Sequence, residues 1–142
     1  MLPEGPPARV THVAVRSRDV SASIDFYARY AGLEVVHERI DGDVRVAWLS
    51  HSRTAPTFVI VVMEMPHERA LEPCPMDHLG FDVESRERVD AIGALAREEG
   101  TLKYGPVDAG PIVGYIVLVR DPSGNTCEFS HGQSIRPEGA AV

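Results

Sequence analysis

Two histidines, His12 and His78, open short apolar runs at matching places in this chain, and a glutamate, Glu128, stands in another such run near its end. An imidazole offers a neutral nitrogen and a carboxylate a charged oxygen, so together they can ligate a divalent ion. Two imidazoles and one carboxylate, with positions left open, form the ligand set of non-haem iron(II) oxygenases. One more oxygen donor makes the set suit Ni, Co, Mn or Zn sites that act as Lewis acids. Ligands of this kind come from separate strands and need no local spacing. The fold must bring them together, so the elements around them have to be read next.

The chain reads as one unit written twice, a pattern to settle before any local assignment. Thr11-His12-Val13-Ala14-Val15 and Asp77-His78-Leu79-Gly80-Phe81-Asp82-Val83 each lead through a polar turn into a helical pattern and a glycine, Gly32 or Gly100. The first unit predicts a strand over 10–15, a helix to Ala31 capped by Asp19 or Ser21, and strands over 33–40, 44–49 and 57–64. Its helix stripe is Val20, Ile24, Tyr27, Ala28 and Ala31. The second predicts a strand after His78, then a helix capped by Ser85 with the stripe Val89, Ile92, Leu95 and Ala96. Strands over 101–107, 112–120 and from Thr126 follow. The organisation is thus a lead-in (1–9), a βαβββ module (10–65), a proline-bearing linker (66–76), a second βαβββ module (77–131) and a tail (132–142), one α+β domain altogether. Alternation along each strand gives one face for the module's helix and another carrying His12, His78 and Glu128 among small residues such as Ala14 and Gly80. If the two sheets curve toward each other, these three side chains converge.

Bulk properties narrow the function. At 142 residues, 44% hydrophobic and 25% charged, the chain fits one ordinary globular domain. A net charge of −7 without a basic run argues against nucleic acid and anionic membrane partners. No run approaches the ~20 apolar residues of a membrane span. The first residues lack signal-peptide character, and two cysteines do not make a disulfide framework, so a cytoplasmic location is expected. Phosphate-loop, dinucleotide-binding and serine-hydrolase motifs are absent.

The motifs His12-Val-Ala-Val, His78-Leu-Gly-Phe-Asp-Val and Asp121-Pro-Ser-Gly-Asn-Thr-Cys-Glu128-Phe, with the repeat, resemble the vicinal oxygen chelate superfamily. That group includes glyoxalase I, extradiol dioxygenases, methylmalonyl-CoA epimerase, and fosfomycin- and bleomycin-resistance proteins. The likeness spans about residues 9–131. It implies paired βαβββ modules forming a cupped mixed sheet, with metal ligands on the first and last strands of each module. By that resemblance His12, His78 and Glu128 hold one divalent ion (Fe, Ni, Zn, Mn or Co). Where a fourth ligand is expected the chain has Val62, with Glu64 two residues further on the same strand. Glu64 reaches the site as a ligand or base only through a bulge or register change, and otherwise lies at the rim. Three ligands favour the extradiol-type set over the glyoxalase-type set.

Other polar residues carry less. Tyr115 is a candidate acid or hydrogen-bond donor if it points into the cup, and equally a packed strand aromatic. His131, three residues after Glu128, is expected on the opposite face at the surface. His37, His51 and His67 lack a supporting pattern, and Trp48 and Phe26 suit core or pocket lining. The expected function is metal-dependent enzymology on a small substrate chelated through adjacent oxygens, by ring cleavage or by glyoxalase I-like chemistry. The alternative is a metal-free binder of the bleomycin-resistance type. The tyrosine-bearing first helix, the edge strands and the resemblance point to a homodimer.

Overall fold

The computed structural model describes residues 12–64, 76, 78–111 and 113–133. The expected lead-in, most of the linker, His67 and nearly all of the tail lie outside the described residues. The chain divides into two compact units, Met1–Pro66 and His67–Val142.

In the first unit β1 (His12–Ser17) leads into α1 (Val20–Ala31), followed by β2 (Glu34–Asp41), β3 (Val44–Ser50) and β4 (Val59–Glu64). The sheet order is β1-β4-β3-β2, with β1 parallel to β4 and the other pairs antiparallel. Asp19 caps α1 by accepting the Ala22 N–H at 3.0 Å, satisfying a donor that has no partner within the helix. Gly32 ends it with φ 66°, a left-handed conformation that a side chain would strain.

The buried residues of α1 are Val20, Ser23, Phe26, Tyr27 and Tyr30. This corrects the expected stripe: the period holds but its phase is rotated, leaving Ile24 half-buried and Ala28 exposed. With Tyr27 common to both, burying the rings of Phe26 and Tyr30 removes more apolar surface from water than burying Ile24 and two alanines. Phe26 packs edge-on to Tyr27 and stacks on Tyr30, with centroids 5.1 and 4.4 Å apart. Both tyrosines are therefore core residues of the module, and their surface support for a homodimer falls away.

The second unit repeats the order: β5 (Leu79–Asp82), α2 (Arg86–Glu99), β6 (Leu102–Asp108), β7 (Tyr115–Arg120) and β8 (Thr126–His131), arranged β5-β8-β7-β6. Ser85 caps α2 through the Arg88 N–H, and Gly100 closes it with φ 74°. Leu95 is half-buried, and Gly93 takes its place in the buried stripe. A Cβ on Gly93 would lie 2.7 Å from the Pro106 ring, so its absence lets helix and sheet approach closely. The pairing of β6 with β7 shifts between Leu102 and Tyr104 and again between Tyr104 and Val107, across the Gly105-Pro106 that breaks the strand pattern in the sequence.

Strand β7 begins at Tyr115, later than expected. The segment before it turns back, with the Ala109 N–H on Gly114 O and the Gly114 N–H on Gly110 O, both at 2.8 Å. Among the described residues no helix is long and apolar enough to cross a membrane.

Candidate metal centre and ligand cavity

Each sheet has a face against its helix and a far face turned from it. In the second unit the register sets Gly80 beside Glu128 and Leu118 across from Glu128. Alternation therefore puts His78, Glu128 and Ser130 on the far face. Phe81 and Phe129 stack at 5.1 Å on the helix side, as expected.

The Asp121-to-Asn125 turn fixes that register. Buried Asp121 accepts the N–H groups of Ser123 and Asn125 at 2.9 and 2.8 Å on one oxygen, and the Asn125 side-chain amide at 2.8 Å on the other. A buried carboxylate is tolerated when satisfied in this way.

His78 Nε2 and Glu128 Oε2 are 3.7 Å apart, too long for a hydrogen bond. Two ligands about 2.1 Å from one ion stand roughly 3.0–3.4 Å apart at right-angled to tetrahedral geometry, so the observed gap is within a few tenths of an ångström of it. Glu128 is only 6% exposed. Its other oxygen, Oε1, accepts from Gln133 Nε2 at 3.1 Å, which leaves Oε2 turned toward the imidazole. Beside it, a Cβ on Gly80 would meet open space. The pair, with one carboxylate oxygen already fixed, fits a divalent ion.

Gln133 is a residue the sequence reading missed, since it lies in the expected tail. A Cβ on Gly114 would lie 2.5 Å from His131 O and 2.7 Å from Gln133 N, so the chain after β8 passes close over a bare glycine.

In the first unit, the register pairs His12 with Val59, Ala14 with Val61 and Ser17 with Glu64. The far face carries His12, Val59, Val61, Met63 and Trp48, which line a cavity of about 390 Å³ together with Arg39. His37 packs edge-on to Trp48 at 4.8 Å, and the Arg39 guanidinium carbon lies 5.5 Å from the Trp48 ring centre.

Glu128 stands beside the second residue after His78, and Val61 beside the second residue after His12. Val61 is thus the first unit's counterpart of Glu128, one residue before the Val62 expected from chain spacing. Glu64 has the parity of buried Ile60 and Val62, on the helix side, and the pairing of β1 with β4 runs without a shift. The bulge that would bring Glu64 to the far face does not occur.

Tyr115 also stands elsewhere than in a cup. It pairs with His131, in step with Val117 and Val119 on the helix side, and donates to Asp90 Oδ1 of α2 at 2.5 Å. That bond to a carboxylate raises its pKa above the ordinary phenol value. Arg86 lies over its ring at 4.8 Å and also bonds Asp108 Oδ2 at 2.6 Å. The Gly110 N–H and Arg86 together lower the pKa of Asp108. His131 is on the face opposite Glu128 as expected, but is half-buried, with Nδ1 3.0 Å from Val83 O. Among the described residues no group of three or more His, Cys, Asp or Glu gathers at one point.

A fold of two βαβββ modules with a histidine–glutamate pair on a strand face defines a class, and the comparisons agree with it. The chain belongs to the glyoxalase/bleomycin resistance protein/dioxygenase superfamily, whose family model matches residues 9–129. It is 34% identical over 133 residues to an uncharacterised protein of Pseudomonas aeruginosa, covering 94% of this chain and 95% of that one. A possible glyoxalase from Bacillus cereus superposes with a TM-score of 0.67 at 27% identity, covering 87% of this chain and 99% of that one. A variant of the fosfomycin resistance protein FosX of Listeria monocytogenes, complexed with Mn(II) and 1S,2S-dihydroxypropylphosphonic acid, superposes with a TM-score of 0.69 at 17% identity. The likeness to FosX covers 92% of this chain and 96% of that one, and is a likeness of fold.

Proposed function

We propose that this protein is a divalent-metal-dependent enzyme acting on a small substrate held through two adjacent oxygens. His78 and Glu128 hold the ion, and His12 supplies the second imidazole. The observation that carries this reading is the His78–Glu128 pair at 3.7 Å with Gln133 on the opposite carboxylate oxygen. A glutamine spent on steering one oxygen of a buried glutamate has a clear purpose when the other oxygen is a ligand. When bound, the ion supplies Lewis-acid chemistry to the substrate oxygens.

The chain's own residues set limits on the reaction. Val61 holds in its module the place that Glu128 holds in the second, so the proposed ligand set has no fourth carboxylate and more positions are left to substrate. Glu64 and Tyr115 lie on helix sides and are unavailable as the base that proton-transfer chemistry needs. This leans toward ring-cleaving dioxygenation with iron(II) and away from glyoxalase I-like lyase chemistry. The enzyme is proposed to work as a cytoplasmic homodimer.

The test is to strip the protein, reload it anaerobically with Fe(II), Ni(II), Zn(II), Mn(II) or Co(II), and measure ions per chain and thermal stability. One ion per chain is expected, with loss in His78→Ala. No uptake above trace, or full uptake by His78→Ala, overturns the proposal. Loaded protein is then assayed on catechols and on the methylglyoxal–glutathione adduct.

A second reading, a metal-free binder that sequesters an aromatic antibiotic, is favoured by the largely apolar cavity of the first unit. In that case stripping metal leaves ligand affinity unchanged.

A further inference from the structure

We infer that the cavity of the first unit binds a small aromatic carboxylate, its ring against Trp48 and Met63 and its carboxylate on the outer edge of Arg39. Three observations converge on this ligand. The walls offered by Val59, Val61, Met63 and Trp48 are apolar, and a volume of about 390 Å³ suits a molecule of one or two rings. Trp48 is 36% exposed and Met63 37% exposed, so each retains surface for a partner. An indole face and a thioether both favour a flat π-system over a saturated ring.

The charge is set by Arg39. Its Nε donates to both oxygens of Asp41, at 3.0 and 2.9 Å, which holds the guanidinium in place from one edge. Its two terminal nitrogens take no hydrogen-bond partner among the described residues. They form a planar two-donor fork beside an apolar wall, a geometry that matches a carboxylate. A single fork is a sparse site for a phosphate, whose charge calls for more donors. The inference rests on the proposed function only in setting the ring beside His12; binding itself requires no ion.

The chain contains one tryptophan, so Trp48 emission reports directly on this cavity. Full-length protein stripped with chelator is titrated with benzoate, benzamide and cyclohexanecarboxylate. Benzoate is expected to give a saturable change, with benzamide and the saturated acid each binding more weakly. Arg39→Gln should weaken benzoate by roughly tenfold or more, the size of a lost charge-assisted hydrogen bond. Because the titration uses stripped protein, and ion uptake is measured separately on the same preparation, failure of the metal centre and failure of this site are read independently. No saturable change with benzoate overturns the inference. So does equal affinity for benzamide, equal affinity for cyclohexanecarboxylate, or an unaffected Arg39→Gln.

Discussion

The two modules share strand order, cap chemistry and the glycine that stops each helix, yet they diverge at two matched places. Beside the second residue after the histidine, the first module has Val61 and the second has Glu128. At the same distance along the helix from its cap, the first has Tyr27 and the second has Gly93. One module fills its interior with rings and presents an apolar wall. The other draws its helix close to the sheet and presents an acid. The two modules share a frame and differ in what they present, so they should fail under opposite insults.

Truncation should hurt the first module most. Tyr27→Ala, at a fully buried position, is expected to cost about 3–5 kcal/mol in urea unfolding. A smaller loss would show that the ring core is not what holds α1. Glu128→Ala should weaken divalent-ion binding about a hundredfold or more in competition with a chromophoric chelator, since even outer partners of a ligand are worth 10–100-fold. Val61→Ala should leave ion affinity unchanged; equal losses in both would erase the distinction between the two faces.

Enlargement should hurt the second module. Gly93→Ala pushes a methyl into the Pro106 ring and is expected to cost about 1–3 kcal/mol in the same unfolding assay. Val61→Glu writes the second module's acid into the first. It should destabilise stripped protein by roughly 1–3 kcal/mol, a buried carboxylate lacking a partner, and recover stability when an ion is added. Recovery that fails to depend on the ion would sharpen the modules into truly unequal partners.

The smallest effects concern the helix side of the second module. Tyr115→Phe should leave ion and benzoate binding unaltered, because the phenol serves Asp90. With its pKa raised, the phenol's contribution is present below the ordinary tyrosine range and is lost as pH climbs through the raised value. Asp108, with its pKa lowered, contributes above the ordinary carboxylate range and loses that contribution as pH falls through the lowered value. Asp108 is exposed, so Asp108→Asn should flatten the acid limb of a stability–pH curve only slightly.

Much of the frame was legible because it rests on local rules. Capping by Asp19 and Ser85, the stops at Gly32 and Gly100, and alternation along β5 and β8 all follow from neighbouring residues. The helix phase in the first module was not, because periodicity finds a stripe without choosing between Ile24 and the rings of Phe26 and Tyr30. Glu64 and Tyr115 were left with two readings each for another reason. Their faces depend on cross-strand register, and a chain count from His12 points to Val62 where the register sets Val61 beside Ala14. Gln133 was hidden because a residue beyond the last strand has no pattern to betray it. The Arg39–Trp48 wall needed two strands side by side before it could be seen.

The turn built on Asp121 has a consequence for how this protein can vary. Strand neighbours point to opposite sides, so one residue added between Arg120 and Thr126 would carry Glu128 from the far side of its sheet to the helix side. Most surface loops absorb insertions at little thermodynamic expense. This one is a ruler: its length, more than its composition, decides whether the second module presents an acid at all.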